Sequence, residues 1–236
     1  MNTSTPVAVI TGASRGIGAA LVPVYRALGY GVVAVARTIA DSTDPDVLTV
    51  GADIGAPGAG DRIVAAALHR FGRIDTVVNN AGIFVAKPFT EYTDADYDAV
   101  LGVNVRGFFE LTRAAMPTLL HGGRGHVVTI STTLVEHANS VLPSVLASLS
   151  KGGVTAATRS LAIEYAGRGV RANAVALGVI DTPMHAPETH EALAALHPVG
   201  RLGEISDVVD AVRYLETAPF VTGEILHVDG GQSAGH

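Results

Sequence analysis

Thr11-Gly12-Ala13-Ser14-Arg15-Gly16-Ile17-Gly18 follows directly on the apolar run Val7 to Ile10 and leads straight into a helical pattern. The glycine spacing is Gly-x-x-x-Gly-x-Gly, and each glycine has a mechanical job. One reverses the chain, another lets backbone approach a pyrophosphate, and a third packs the helix against the strand. The helix that follows presents free N–H groups and the positive end of its dipole to the phosphates. Three glycines in a turn are a weak signal alone, but between a first strand and a first helix they mark a dinucleotide turn.

Working outward, apolar runs of strand length recur at Val7 to Ile10, Val32 to Ala36, Val47 to Val50, Thr76 to Val78, His126 to Ile130, Ala172 to Ala176 and Ile225 to Val228. They are near-continuous in Val, Ile and Ala rather than alternating, the pattern of strands buried on both faces. Helical stretches separate them at Ile17 to Leu28, Asp61 to Phe71, Asp94 to Leu120, Val145 to Ala166 and Ile205 to Glu216. Strand and helix in repeated alternation predict an α/β fold of Rossmann type, a doubly wound parallel seven-stranded sheet flanked by helices. Ligands of such sheets bind beyond the carboxyl ends of the strands. The irregular stretch Leu177 to Pro187 is placed to act as a flap there.

The 236 residues suit one continuous α/β domain, with no linker, internal repeat or low-complexity tract. Hydrophobic residues make up 48% and charged residues only 16%, which leaves little charge for a surface and favours burial between subunits in a homo-oligomer. A net charge of -6 without a basic block argues against a nucleic-acid partner, so a small-molecule substrate is expected. No apolar stretch approaches a membrane span, and Met1 to Pro6 lacks the form of a signal peptide. With no cysteine there is neither a disulfide framework nor a thiolate nucleophile, in keeping with a cytoplasmic location.

Further motifs stand in order along the chain: Asn79-Asn80-Ala81-Gly82 at the end of the fourth strand, Val103-Asn104-Val105-Arg106-Gly107 in the long helix after it, Asn173-Ala174-Val175, and Val228-Asp229-Gly230-Gly231. With the Gly-rich turn they make the chain resemble the short-chain dehydrogenase/reductase family over nearly its whole length. The resemblance implies hydride transfer with NAD or NADP, usually in a homotetramer. It implies that Gly12, Ser14, Ile17 and Gly18 hold the pyrophosphate and ribose, that Asp53 meets the adenine, and that Asn80, Ala81 and Gly82 line the adenosine ribose side. Thr182, following Val179 in the loop after the sixth strand, is then expected at the nicotinamide amide and phosphate. That loop begins Leu177-Gly178 here, where the family usually has Pro-Gly.

Charge distinguishes the two cofactors. A carboxylate at the end of the second strand selects NAD by bonding the 2′-hydroxyl and repelling a 2′-phosphate. This chain has Ala36 followed by Arg37, and Arg15 in the Gly-rich turn reaches the same corner. Two guanidinium groups suit a phosphate, so NADP is expected over NAD.

The resemblance also implies a catalytic Tyr four residues before a Lys, a Ser after the fifth strand and an Asn from the preceding helix. Asn104 and Lys151 match, and Lys151 is one of only two lysines beside 14 arginines. The residue four before Lys151 is Ala147, which has no hydroxyl and moves no proton. By family spacing the Ser falls on Leu134, while Ser131 and Thr132 directly follow the fifth strand; a longer loop would keep one of those hydroxyls in place. Ser144, on the helix face of Ala147, and His137, in the intervening loop, are the nearby substitutes. His185, Glu188, His190 and His197 lack the spacing of a metal site, and no metal is expected. The leading reading is an NADP-dependent oxidoreductase acting on a carbonyl or alcohol with an unconventional proton donor. A redox-inactive dinucleotide-binding sensor or oligomer partner is the alternative, and a lyase or dehalogenase on the same fold a third.

Overall fold

The computed structural model describes residues 5–183 and 187–235. Strands β1 (Val7–Thr11), β2 (Gly31–Ala36), β3 (Val47–Gly51), β4 (Thr76–Asn79), β5 (Gly125–Thr132), β6 (Val170–Leu177) and β7 (Ile225–Val228) form one sheet in the order β3-β2-β1-β4-β5-β6-β7. Every neighbouring pair is parallel. The expected fold class is therefore the observed one. The strand order reverses between β1 and β4, and the crevice for a ligand opens there, beyond Thr11 and Asn79.

Burial on both faces explains the strand compositions. Along β1, Val7 and Val9 enter one core while Ala8 and Ile10 enter the other. The first core is closed by α2 (Ala59–Phe71), α4 (Gly107–Gly122) and α5 (Val145–Tyr165) through Ile63, Leu111, Leu119 and Ala162. The second is closed by α1 (Gly16–Ala27) and α7 (Ile205–Thr217) through Leu21, Tyr25, Val208 and Leu215. Full burial of one such leucine contributes about 1.5–3 kcal/mol. Among the described residues no helix is long and apolar enough to cross a membrane.

The single helix expected over Asp94 to Leu120 is a correction. It divides into α3 (Asp94–Leu101), a π turn over Gly102–Arg106 and α4. Gly107 N–H bonds Gly102 O across the widened turn. The reason is close approach: a Cβ on Gly107 would stand 2.8 Å from Ile54 Cγ1, and one on Gly55 would stand 3.1 Å from the Gly102 carbonyl carbon. The helix thus lies against the loop after β3 at this point. Such π turns recur at functional sites because they re-aim a side chain, and the one re-aimed here is Asn104.

Candidate active site

The Gly-rich turn is clasped from the neighbouring strand. Thr11 Oγ1 accepts from the N–H groups of Asn80 and Ala81, each at 3.0 Å, and donates to Val78 O at 3.2 Å. Asn80 Nδ2 donates to Thr11 O at 2.8 Å, so this side chain braces the turn from behind. Gly12 and Gly16 adopt φ of 68° and 57°, the left-handed region that favours glycine. A Cβ on Gly18 would lie 2.3 Å from Gly12 O, so helix and turn touch backbone to backbone. The N-cap residue Arg15 supplies no side-chain cap and no acidic residue occupies the first turn of α1. The first N–H groups of the helix are thereby left to an anion.

Beside this turn, Ser14, Arg15 and Arg37 are exposed. Neither guanidinium is held by a carboxylate among the described residues. Asp53, beyond the end of β3, is also exposed, and its Oδ1 accepts from Gly55 N–H at 3.0 Å. That bond fixes the carboxylate at the rim of the crevice.

At the other side of the crevice, Lys151 on α5 donates to Ile130 O at 2.7 Å. The residue is half-buried, and desolvation of its ammonium brings its pKa down to about 8. Gly82 lies against it, since a Cβ there would stand 3.1 Å from Lys151 Nζ and 3.4 Å from Asn104 Oδ1. Asn104 is buried in the π turn; Oδ1 accepts from Ile83 N–H at 2.9 Å, and Nδ2 donates to Ile83 O and to Ser150 Oγ, each at 3.1 Å. A cavity of ≈ 10 Å³ behind the two residues is lined by Thr11, Asn79, Asn104, Thr129 and Lys151, among others. Room and polarity there match one water molecule.

The two hydroxyls after β5 part company. Ser131 is buried and its Oγ lies 2.7 Å from Thr155 Oγ1, which donates onward to Lys151 O at 2.8 Å. Ser131 therefore faces the seam between β5 and α5. Thr132, half-buried at the strand end, donates to Leu177 O and accepts from Leu134 N–H, both at 3.3 Å. The longer loop folds as a short turn, Thr133–Val135, tied to α5 by Ser148 Oγ donating to Leu134 O at 3.0 Å. Ala147 is buried, only 3% exposed. Ser144 begins α5 without capping it, and the imidazole of His137 makes no hydrogen bond among the described residues.

The loop after β6 crosses the Gly-rich turn. A Cβ on Gly16 would lie 3.9 Å from Thr182, which sets Thr182 over the start of α1. Val179 N–H donates to His197 Nε2 at 2.9 Å, and a Cβ on Gly178 would stand 2.6 Å from the same nitrogen. Of the expected flap, Met184 to Ala186 lie outside the described residues, and His185 with them. Among the described residues no three His, Asp or Glu side chains come together as a metal site; His190 and Asp181 stand 3.7 Å apart and His197 is held by the loop.

A family model described as Enoyl-(Acyl carrier protein) reductase matches residues 12–233. The 2-(R)-hydroxypropyl-CoM dehydrogenase of Xanthobacter autotrophicus is 37% identical, with 97% of this chain and 98% of that protein covered. Among solved structures, a 3-ketoacyl-(acyl-carrier-protein) reductase from Brucella melitensis in complex with NADH superposes with a TM-score of 0.88 at 31% identity, covering 98% of this chain and 100% of that one. ElxO with NADP bound gives a TM-score of 0.90 at 26% identity, over 98% and 100% of the chains. The chain belongs to the short-chain dehydrogenase/reductase family.

In this short-chain dehydrogenase/reductase several site residues escape a reading of the sequence. Thr11 is the clasp of the Gly-rich turn, Ser150 and Ile83 hold Asn104, and His197 holds the loop after β6. The only signal in the sequence was position: Thr11 ends a strand at the crevice, and Ser150 adjoins Lys151.

Proposed function

We propose that residues 1–236 act as one cytoplasmic, dinucleotide-binding domain that reduces a carbonyl, or oxidises an alcohol, of a small molecule with NADP. The observation that carries this reading is the set of unsatisfied donors on one rim of the crevice. The first turn of α1 is uncapped, and Arg15 and Arg37 are exposed and, among the described residues, unpaired where a 2′-phosphate would lie. Gly12, Ser14, Ile17 and Gly18 would hold the pyrophosphate and ribose, Asp53 the adenine, and Ala81 and Gly82 the ribose side, with Asn80 bracing the turn. Val179 and Thr182 would close over the nicotinamide end, and Lys151 would meet its ribose. Bound there, the dinucleotide supplies or accepts a hydride. Thr132 stands at the strand end where substrate oxygen is oriented, and Asn104 holds the wall behind Lys151. Ser131 acts at one remove, fixing α5 through Thr155.

Exposed apolar side chains support a homotetramer. Phe109 on α4, Leu149 and Ile163 on α5 and Phe220 before β7 are 55%, 55%, 81% and 102% exposed. A chain with so little charge buries such faces most readily against its own copies; light scattering tests this.

The deciding experiment is a fluorescence titration with NADPH and NADH, followed by a panel of ketones, aldehydes and β-ketoacyl thioesters. Tighter NADPH binding and NADPH-dependent turnover are expected. Equal affinities defeat the NADP assignment. Tight binding without turnover on any carbonyl favours the second reading, a redox-inactive sensor, for which the absence of a hydroxyl at Ala147 is the supporting observation.

A further inference from the structure

Reduction of a carbonyl needs a proton, and no phenol stands at the crevice to give one. Tyr25 and Tyr30 bond Glu216 at the opposite end of the sheet, and Tyr92 OH donates to Val85 O. Tyr97 and Tyr214 are exposed on α3 and α7, and Tyr165 is the last residue of α5. Three nearby hydroxyls are engaged, Ser131 with Thr155, Thr132 with Leu177 O, and Ser150 with Ala147 O, and the fourth, Ser144, has no base bonded to it among the described residues and is too weak an acid to donate near neutral pH.

Lys151 is different. Its ammonium has three N–H groups, of which one is bound by Ile130 O. Opposite it is Gly82, where no side chain intervenes, and the groups lining the cavity behind are Thr11, Asn79, Asn104 and Thr129, none of them charged. We propose that Lys151 is itself the acid of this enzyme, giving a proton from Nζ to the substrate oxygen in reduction and taking one back in oxidation. The proposal rests on the oxidoreductase reading above and deepens it.

The step balances. The carbonyl carbon gains a hydride from a reduced nicotinamide dinucleotide, the C=O π pair moves to oxygen, and oxygen takes a proton from Nζ. The amine is left neutral, the dinucleotide oxidised, and the amine regains its proton from solvent. Burial without a compensating carboxylate places the ammonium near about 8, close to the pH at which a general acid works best.

With two lysines in the chain, Lys87 and Lys151, protein labelled with 13C at lysine Cε gives two signals. In the protein without dinucleotide, the signal that disappears in Lys151→Met should titrate with a midpoint near about 8; a midpoint near the ordinary 10.5 overturns the proposal. Wild-type carbonyl reduction should fall as pH rises through the same value. Lys151→Arg keeps a cation and donors but releases no proton. It should bind NADPH nearly as wild type does and reduce carbonyls at least about 100-fold more slowly. Undiminished turnover in Lys151→Arg, with NADPH bound, removes Lys151 as the acid while leaving the oxidoreductase reading intact. No turnover in the wild type on any carbonyl removes both.

Discussion

The amino end of the sheet and its carboxyl end both gather charge, and they treat it in opposite ways. At the amino end, Glu216 near the end of α7 accepts from Tyr25 OH at 2.9 Å, Tyr30 OH at 2.7 Å, Thr76 Oγ1 at 3.1 Å and His126 Nδ1–H at 2.9 Å. The other nitrogen of His126 accepts from Asn173 Nδ2 at 3.0 Å, and Arg171 donates to the carbonyls of Leu215, Val221 and Glu216. Burial alone would raise the Glu216 carboxyl, but the bonds from His126, Tyr30 and Tyr25 outweigh it and hold its pKa at about 2. Burial drives His126 below its usual value, so its imidazole is neutral. At the carboxyl end, among the described residues, Lys151 has one bond for three donors, and Arg15 and Arg37 have no hydrogen-bond or ion-pair partner. A buried charge whose bonds are all met by protein has no capacity left for a ligand, whereas one with donors to spare has.

The largest expected effect breaks the satisfied end. Glu216→Ala leaves two phenols and an imidazole without their acceptor, and should lower the unfolding free energy by about 3–5 kcal/mol in urea titration. The pH dependence has a definite sign. The folded carboxyl titrates at about 2 against an ordinary 4.5, so its contribution is complete above 4.5 and lost as pH falls toward 2. His126, also depressed, acts in the same direction below its ordinary 6.5. Wild type should lose stability on acidification more steeply than the variant. A variant as stable as wild type at neutral pH would mean that the network is ornament.

How much of this could be read in advance differs between the two ends. The seven strands and the Gly-rich turn were legible because their signals are local: double-faced burial writes itself as runs of Val, Ile and Ala, and the turn has its glycine spacing. Lys151 stood out by its rarity among arginines. The Glu216 network was not legible, because its members come from separate elements; Tyr25 and Glu216 are 191 residues apart. The π turn escaped for a similar reason. Its glycines answer to the loop after β3, a contact that helical periodicity does not encode. Asn80 was expected on the ligand side, yet its amide reaches backward to Thr11 O, a choice made by tertiary packing.

Two further experiments sharpen the contrast at the carboxyl end. A tyrosine is what the family resemblance implies at position 147, but Ala147 is covered. Ala147→Tyr must displace the residues that cover it, so it should lower stability by about 1–3 kcal/mol with no gain in carbonyl reduction. A gain in turnover instead would show that the crevice has kept room for a phenol. Lys151 then offers the mirror image of Glu216. Its folded value near 8 lies below the ordinary 10.5, so stability is complete above 10.5 and declines as pH falls through about 8. Lys151→Met should flatten that slope, gaining about 1–2 kcal/mol on wild type at neutral pH. Parallel pH profiles of the two proteins would place the Lys151 ammonium in water.

The smallest effect compares two arginines. Arg171 spends its donors on three backbone carbonyls, whereas Arg37 is exposed at the end of β2 with no acceptor among the described residues. If unspent donors mark a ligand site, Arg37→Ala should leave the urea midpoint unchanged and weaken NADPH by about 1 kcal/mol, the scale of an exposed charge contact, while NADH is unaffected. Arg171→Ala should do the reverse, lowering the midpoint and leaving the ratio of NADPH to NADH affinity as it was. Arg15→Ala, at the same corner as Arg37, should add to it, because both guanidinium groups address one phosphate. Fluorescence titration of the three variants with both dinucleotides measures the ratio directly. A ratio unchanged by Arg37→Ala and Arg15→Ala together would mean that these exposed charges serve only solvation, and that incomplete hydrogen bonding at this rim does not foretell what binds there.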